Sequence, residues 1–374
     1  MKKKITLTTT FIIISSLIIL LTYKKDNNVT FSDTSKNNNN ILSIMLETSS
    51  GSGDYQESLS NSFPRNGYIF NENLSNCENG SKISWNEENK SVSVKSNKAD
   101  KCHLYFDIYE PTLAETIINL YTGTQGENSI YYHDSNLTNG ANDNSYRYAG
   151  ANPNNYVCFD SDKSTCPTDN LYRIIGVFEE NNHGVSGKKL VKIIKNDSYG
   201  TYEWHKKSGN DWSIADLNKT LNSTFLTAQL SGYEDKIQSV AWKISGLGNE
   251  SGVAKGIYTV EVANATKTYE AKVGLMYLSD YAYASSPSYW ETSVFKYTAE
   301  VVATNWLYLD NKTQWVLTRA STDNYDVFSI TNDGYVNGDN NAFSLYEVKP
   351  TFYLISDILY AGGTGTITDP YRVR

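Results

Sequence analysis

Eighteen consecutive residues without a charge, Ile5 to Thr22 (ITLTTTFIIISSLIILLT), constrain this chain more than any other feature. Lys2–Lys4 precede the run and Lys24–Lys25 follow it. An apolar stretch of this length falls in the roughly 17–25-residue range of a membrane-spanning helix. A secretory signal peptide has a shorter apolar centre and small residues at its cleavage site. Here the run ends Leu-Leu-Thr-Tyr-Lys-Lys, with no small-x-small site and no following Cys for a lipid anchor. The favoured reading is an uncleaved signal anchor over residues 1–25 that meets the membrane through residues 5–22. A cleaved signal peptide, which would release the protein, and a buried core helix are the alternatives. Three lysines before the run against two after it put the N-terminus inside and the bulk outside a cell membrane, in a single pass.

Cysteine usage agrees with export. The four cysteines, Cys77, Cys102, Cys158 and Cys166, are an even number, which in an exported chain suggests two disulfides. Proximity in sequence favours Cys77–Cys102 and Cys158–Cys166. A zinc site has little support, because there is no C-x-x-C pair and His103, His133, His183 and His205 are scattered. Composition narrows the classes further. A net charge of −8 with 20% charged residues excludes a polybasic nucleic-acid binder. Hydrophobics at 39% and aromatics at 13% exclude a wholly disordered chain.

Residues 26–40 are polar with an Asn run and read as a flexible tether. Residues 41–110 read as a small all-β module. Its short β-prone runs are Ile41–Leu46, Gly67–Phe70, Lys82–Asn86, Ser91–Lys95 and Cys102–Ile108, separated by turn-rich segments. Residues 111–144 read as a connecting helix, with Leu113, Ile117, Leu120 and Tyr121 at near-helical spacing, followed by a polar linker. Residues 145–374 form the largest unit. Ser213 followed by Asp216 resembles a capping box, with Ile214, Leu217, Leu221 and Phe225 as one apolar stripe behind it. A second helix is expected over Glu234–Lys243, with Ile237, Val240 and Ala241 inward. Lys189–Ile194 alternates apolar and basic, and Ser279-Asp-Tyr starts a short helix. Asp333-Gly334 marks a hairpin turn, and Val348–Ile355 is the last long strand. Two helices among many short antiparallel strands predict α+β.

Within that unit the blocks LYRIIGVF, WSIADLNKTLN, LSD, WVLTRAS, DG and VKPTFYL occur in order. Together they resemble an uncharacterised C-terminal domain of anchored surface proteins in low-GC Gram-positive bacteria and their wall-less relatives. Such blocks are similar to the C-type-lectin-like fold of the formylglycine-generating enzyme group and of retroelement-diversified receptor-binding proteins. The resemblance implies a C-type-lectin-like mixed domain, preceded by a β module of the kind seen over residues 41–109. This chain departs from the pattern at Thr318 and at Lys349, where Arg is usual and a planar fork is not replaced by an ammonium. The enzyme group holds copper on late cysteines. Here the last is Cys166, so the resemblance does not carry that chemistry over.

No H-E-x-x-H, G-x-S-x-G or Walker A motif is present. His205, between Trp204 and Trp212, is read as a loop histidine. Paired carboxylates of a hydrolase are not visible in the sequence. The Asn332–Asn341 loop, through Asp333 and Asp339, offers oxygen ligands that could take Ca²⁺, but without EF-hand order; no other cofactor is indicated. Tyrosine stands out, with 29 against 12 Phe. Tyr and Trp give large contact area with a polar tip, as binding surfaces require. Tyr289, Trp290, Trp306 and Tyr308, with Arg319 close behind, are therefore the candidate ligand-binding residues. Tyr131, Tyr132, Tyr146 and Tyr148 form a second group. The expectation is a bacterial cell-surface adhesion protein that binds a glycan or a surface protein and no nucleic acid, without catalysis. An extracellular carboxylate hydrolase and a passive envelope spacer are the alternatives.

Overall fold

The structure is a computed structural model that describes residues 28–31, 40–60, 62–64, 67–95, 99–179, 186–207, 209–248 and 252–374. The expected membrane segment, residues 5–22, lies outside them. Among the described residues no helix is long and apolar enough to cross a membrane. About 19% helix and 36% strand, in several sheets, make the protein α+β as expected. The chain divides into two compact units, Met1–Glu110 and Pro111–Arg374.

The first unit is all β. Alternation of apolar and polar residues gives each strand one face for a core and one for water. A four-stranded sheet runs in the order Tyr55–Glu57, Asn40–Glu47, Asp100–Ile108, Tyr68–Cys77, and the two central strands are parallel. A three-stranded sheet runs Asn28–Phe31, Ser91–Lys95, Lys82–Asn86. Part of the expected tether is therefore a strand: the backbone of Asn28–Phe31 pairs antiparallel with Ser91–Lys95 and satisfies an otherwise open edge. Ile44, Val92, Val94, Leu104 and Phe106 form the core, with Phe70 stacked on Trp85 at 5.3 Å. Cys77 and Cys102 lie opposite each other on neighbouring strands and are bridged, Cα to Cα 3.9 Å.

The second unit begins at Pro111, and the stretch expected as a linker is part of its core. Thr112 caps the Leu113–Asn119 helix in a capping box with Glu115. Leu113 and Ile117 are fully buried, and Ile130–Tyr132 pairs with Tyr146–Tyr148. The largest sheet has ten strands. Its centre is Leu171–Glu179 beside Lys189–Lys195 beside Thr351–Leu354, all antiparallel neighbours. These strands are buried on both faces. A five-stranded sheet runs Gly200–Glu203, Leu345–Val348, Gln314–Arg319, Asp326–Ile330, Val336–Asn341. The second disulfide, Cys158–Cys166, closes a short loop beside the large sheet.

Two helix expectations are corrected. The stripe at 213–225 is helical only from Asp216–Thr220 onward, continuing through a wider turn over Leu221–Phe225. Ile214 sits before it and is 55% exposed, because Asp211, not Ser213 with Asp216, caps the preceding turn. The expected helix at Glu234–Lys243 is a single turn, Glu234–Lys236, followed by the strands Ile237–Gln238 and Val240–Lys243. Buried Val240 and Trp242 alternate with partly exposed Ala241 and Lys243, a period of two that strand neighbours reward.

Lys349 is buried, and burial followed by the Arg173 charge lowers its amine to about 7, against a smaller opposing pull from Asp197. The unfolded chain therefore binds the extra proton between about pH 7 and the ordinary lysine range, and stability must rise with pH across that window. Lys349→Met is expected to flatten the rise, measured by urea unfolding at pH 7 and pH 9. Closing 25 residues by Cys77–Cys102 should stabilise the first unit by about 3 kcal/mol. Changing both to Ser should weaken amide-exchange protection of Asp100–Ile108 and leave Lys189–Lys195 untouched.

Candidate functional site

The strand Gln314–Arg319 ends beside the segment Ile244–Gly248, and Arg319 is what joins them. Its guanidinium donates to the carbonyls of Ile244, Ser245 and Ala320 and to the Asn210 side chain, at 2.8–3.4 Å. Backbone bonds from Leu247 N to Arg319 O and from Ser321 N to Leu247 O complete the junction. This wall, the strands Asp326–Ile330 and Val336–Asn341, and the turn Val294–Lys296 enclose a groove of about 410 Å³. Leu247, Phe295, Phe328 and Val336 supply its apolar lining, and Asn337 and Asp339 its polar rim. The Phe295 and Phe328 ring centroids are 6.2 Å apart.

Both rings rest on glycines. A Cβ on Gly338 would come within 2.6 Å of Phe328, and one on Gly252 within 2.6 Å of Phe295, so neither ring could keep its place over a larger residue. Phe295 remains 39% exposed. On the rim, Asn337 accepts from the Asp339 backbone N–H, which turns the strand there. Burial and the nearby Asp323 and Asp339 charges raise the Asp326 carboxyl above its ordinary value. The groove thus pairs an open aromatic face with an acidic, amide-bearing edge.

The expected site residues are divided by the fold. Trp290 is 1% exposed, with its indole N–H on the carbonyls of Tyr283 and Ser285 and its ring against Tyr131, His133 and Tyr283. Trp306 is also buried. It donates to Tyr148 O and lies under the Arg173 guanidinium at 4.5 Å. These two indoles are core, corrected from the expected surface, because a dense aromatic interior was available to bury them. Tyr289 is half-buried and donates to Glu300. Tyr308, also half-buried, donates to Asn332 O and ties two turns together. Arg319 positions the groove wall and is saturated by carbonyls. Asp339 reaches the groove; Asp333 stands at the Thr331–Tyr335 turn, at the far end of the same strand. Among the described residues no group of three or more His, Cys, Asp or Glu side chains converges on a metal position. In the second tyrosine group, Tyr132 and Tyr146 stack at 4.5 Å with Tyr121 beside both, a partly exposed platform.

Sequence reasoning missed two features. The first is a cleft of about 570 Å³ beside the Cys158–Cys166 loop, lined by Asp160, Asp162 and Tyr233 among others. Burial, then the Glu234 and Asp162 charges, push the Asp160 carboxyl up to about 6. The second is a buried charge cluster at the start of the Leu278–Ala284 helix. Asp280 Oδ2 meets the Lys192 ammonium at 2.5 Å and the Tyr277 N–H at 2.8 Å. Glu261 accepts from the N–H groups of Leu278 and Ser279 and from the Thr318 hydroxyl. Arg147 pairs with Asp143 at 2.7 Å and approaches Asp280 at 3.9 Å. His205 holds Asp216 at 2.7 Å as a loop brace.

No protein-family model matches the chain, and neither a curated protein nor a solved structure is significantly similar to it.

Arg319→Lys should lose the fork onto three carbonyls and destabilise the second unit by about 1–3 kcal/mol. Amide exchange of Leu247 and Ser321, which bond across the junction, is the direct readout.

Proposed function

We propose that this is a bacterial cell-surface protein, held by its N-terminal apolar segment, whose second unit is a C-type-lectin-like recognition domain that binds a glycan without catalysis. Two disulfides fit an oxidising, extracellular environment. The groove of Phe295, Phe328, Asn337 and Asp339 carries the reading. A sugar ring presents apolar C–H faces and hydroxyl edges. The Phe295 ring meets the first, and the Asn337 amide and Asp339 carboxylate meet the second. The acidic rim favours neutral or amine-bearing sugars over sulfated or sialylated ones, since like charges in a partly desolvated groove repel.

The test is a glycan array with the protein carrying both disulfides, run with added calcium and with a chelator. Neutral or amino-sugar glycans should be retained, and Phe295→Ala should weaken binding about tenfold, about 1.4 kcal/mol. Retention of no glycan, or binding indifferent to Phe295→Ala and Asp339→Asn, would remove this reading.

The cleft at Asp160 favours a second one, an extracellular hydrolase. A carboxyl held near 6 beside further carboxylates has the proton affinity of a general acid. Turnover of a glycan substrate with a pH profile that breaks near 6, abolished by Asp160→Asn, would establish it.

A further inference from the structure

Lys192 lies at the middle of the Lys189–Lys195 strand, between its partners Gly176 and Tyr353 in the ten-stranded sheet. Its side chain is fully buried, and its nitrogen sits 4.3 Å from the Tyr277 ring, 5.4 Å from Tyr353, 5.5 Å from Trp242 and 5.8 Å from Phe178. Among the described residues, the one carboxylate within bonding distance is Asp280, 88 residues further along the chain, with Oδ2 at 2.5 Å. Asp280 is equally buried and held from the other side by the Tyr277 N–H. A second buried carboxyl, Glu261, is fixed at the same helix start by the N–H groups of Leu278 and Ser279. Amine, carboxyl and a second carboxyl group are thus gathered in an aromatic, water-poor enclosure.

We propose that the Lys192 amine and the Asp280 carboxyl condense into an intramolecular amide, a side-chain cross-link between the central strand and the Leu278–Ala284 helix. In water the reaction is held back because the partners are ammonium and carboxylate. Here burial lowers the proton affinity of Lys192 and raises that of Glu261. The enclosure therefore favours neutral groups over charged ones. Fixing both partners in contact supplies an effective concentration on the order of 10⁵–10⁸ M.

The step needs no oxidant, metal or cofactor. The ammonium loses a proton to the carboxyl groups around it, and the nitrogen lone pair attacks Cγ of the protonated Asp280 carboxyl. The oxygen bonded to the Tyr277 N–H carries the negative charge of the tetrahedral adduct. The nitrogen passes its second proton by way of Glu261 to the other oxygen, and the C–O bond breaks to release one water. One C–N bond forms, one C–O bond breaks, and two buried charges disappear. The Tyr277 N–H keeps its acceptor in the product. Arg147 keeps Asp143, so no new unpaired charge is left behind.

Tryptic digestion of the folded wild-type protein with tandem mass spectrometry decides the matter. The expected result is a branched peptide joining residues 190–195 to residues 273–296, lighter by one water than the sum of its two arms and uncut after Lys192. Asp280→Asn supplies a second measurement. Its amide nitrogen leaves as ammonia instead of water, so its branched peptide must have the same mass as that of the wild type. Glu261→Gln should reduce the branched fraction at least tenfold while both partners remain. Recovery of the two peptides only as separate species from folded wild-type protein would overturn the proposal and leave a buried ion pair. So would an Asp280→Asn product that keeps its full mass.

Discussion

The start of the Leu278–Ala284 helix is where the second unit is held together. A helix N-terminus presents unpaired N–H groups, and burial denies them water. Here two carboxylates take their place: Glu261 on Leu278 and Ser279, and Asp280 on the Tyr277 N–H. Those charges would be ruinous in an apolar interior without compensation. Lys192 and Arg147 supply it from two strands of the large sheet, and the aromatic rings around them offer their electron-rich faces to the cations. Sheet, helix and the Glu261-bearing segment are thus registered against one another by charge as well as by packing.

The groove follows a different logic. It is a surface feature with rigid walls, because Arg319 spends its donors on backbone carbonyls and two glycines let aromatic rings settle directly on the chain. Pre-formed walls spare a ligand the entropy of ordering them. That rigidity, with an exposed Phe295 and an acidic edge, underlies the proposed recognition role. The side chains that make the groove usable come from three separated stretches, around residues 247, 295 and 328–339.

Much of the architecture was readable in the chain. All five strand runs expected between residues 41 and 109 are strands, since period-two alternation with turn residues leaves few other solutions. The Leu113–Asn119 helix followed from its apolar spacing. Both disulfide pairings agree with sequence proximity. What misled was local resemblance without context. Ile237, Val240 and Ala241 fit a helix face, yet the neighbouring strand Thr268–Ala271 recruits Val240–Lys243 into a sheet. The alternation over Lys189–Ile194 did not show that Lys192 is buried, because its counter-charge arrives from a distant helix.

The sequence alone determined the α+β class, the cysteine pairs and the strands of the first unit. Each of these depends on short-range periodicity or on partners near in the chain. Only the tertiary structure decided that Trp290 and Trp306 belong to the core, that Arg319 braces a wall, and that Lys192 faces Asp280. An aromatic or a charge carries the same letter whether it meets water, a ring or a counter-ion. Its role follows from what folding brings within a few ångströms of it.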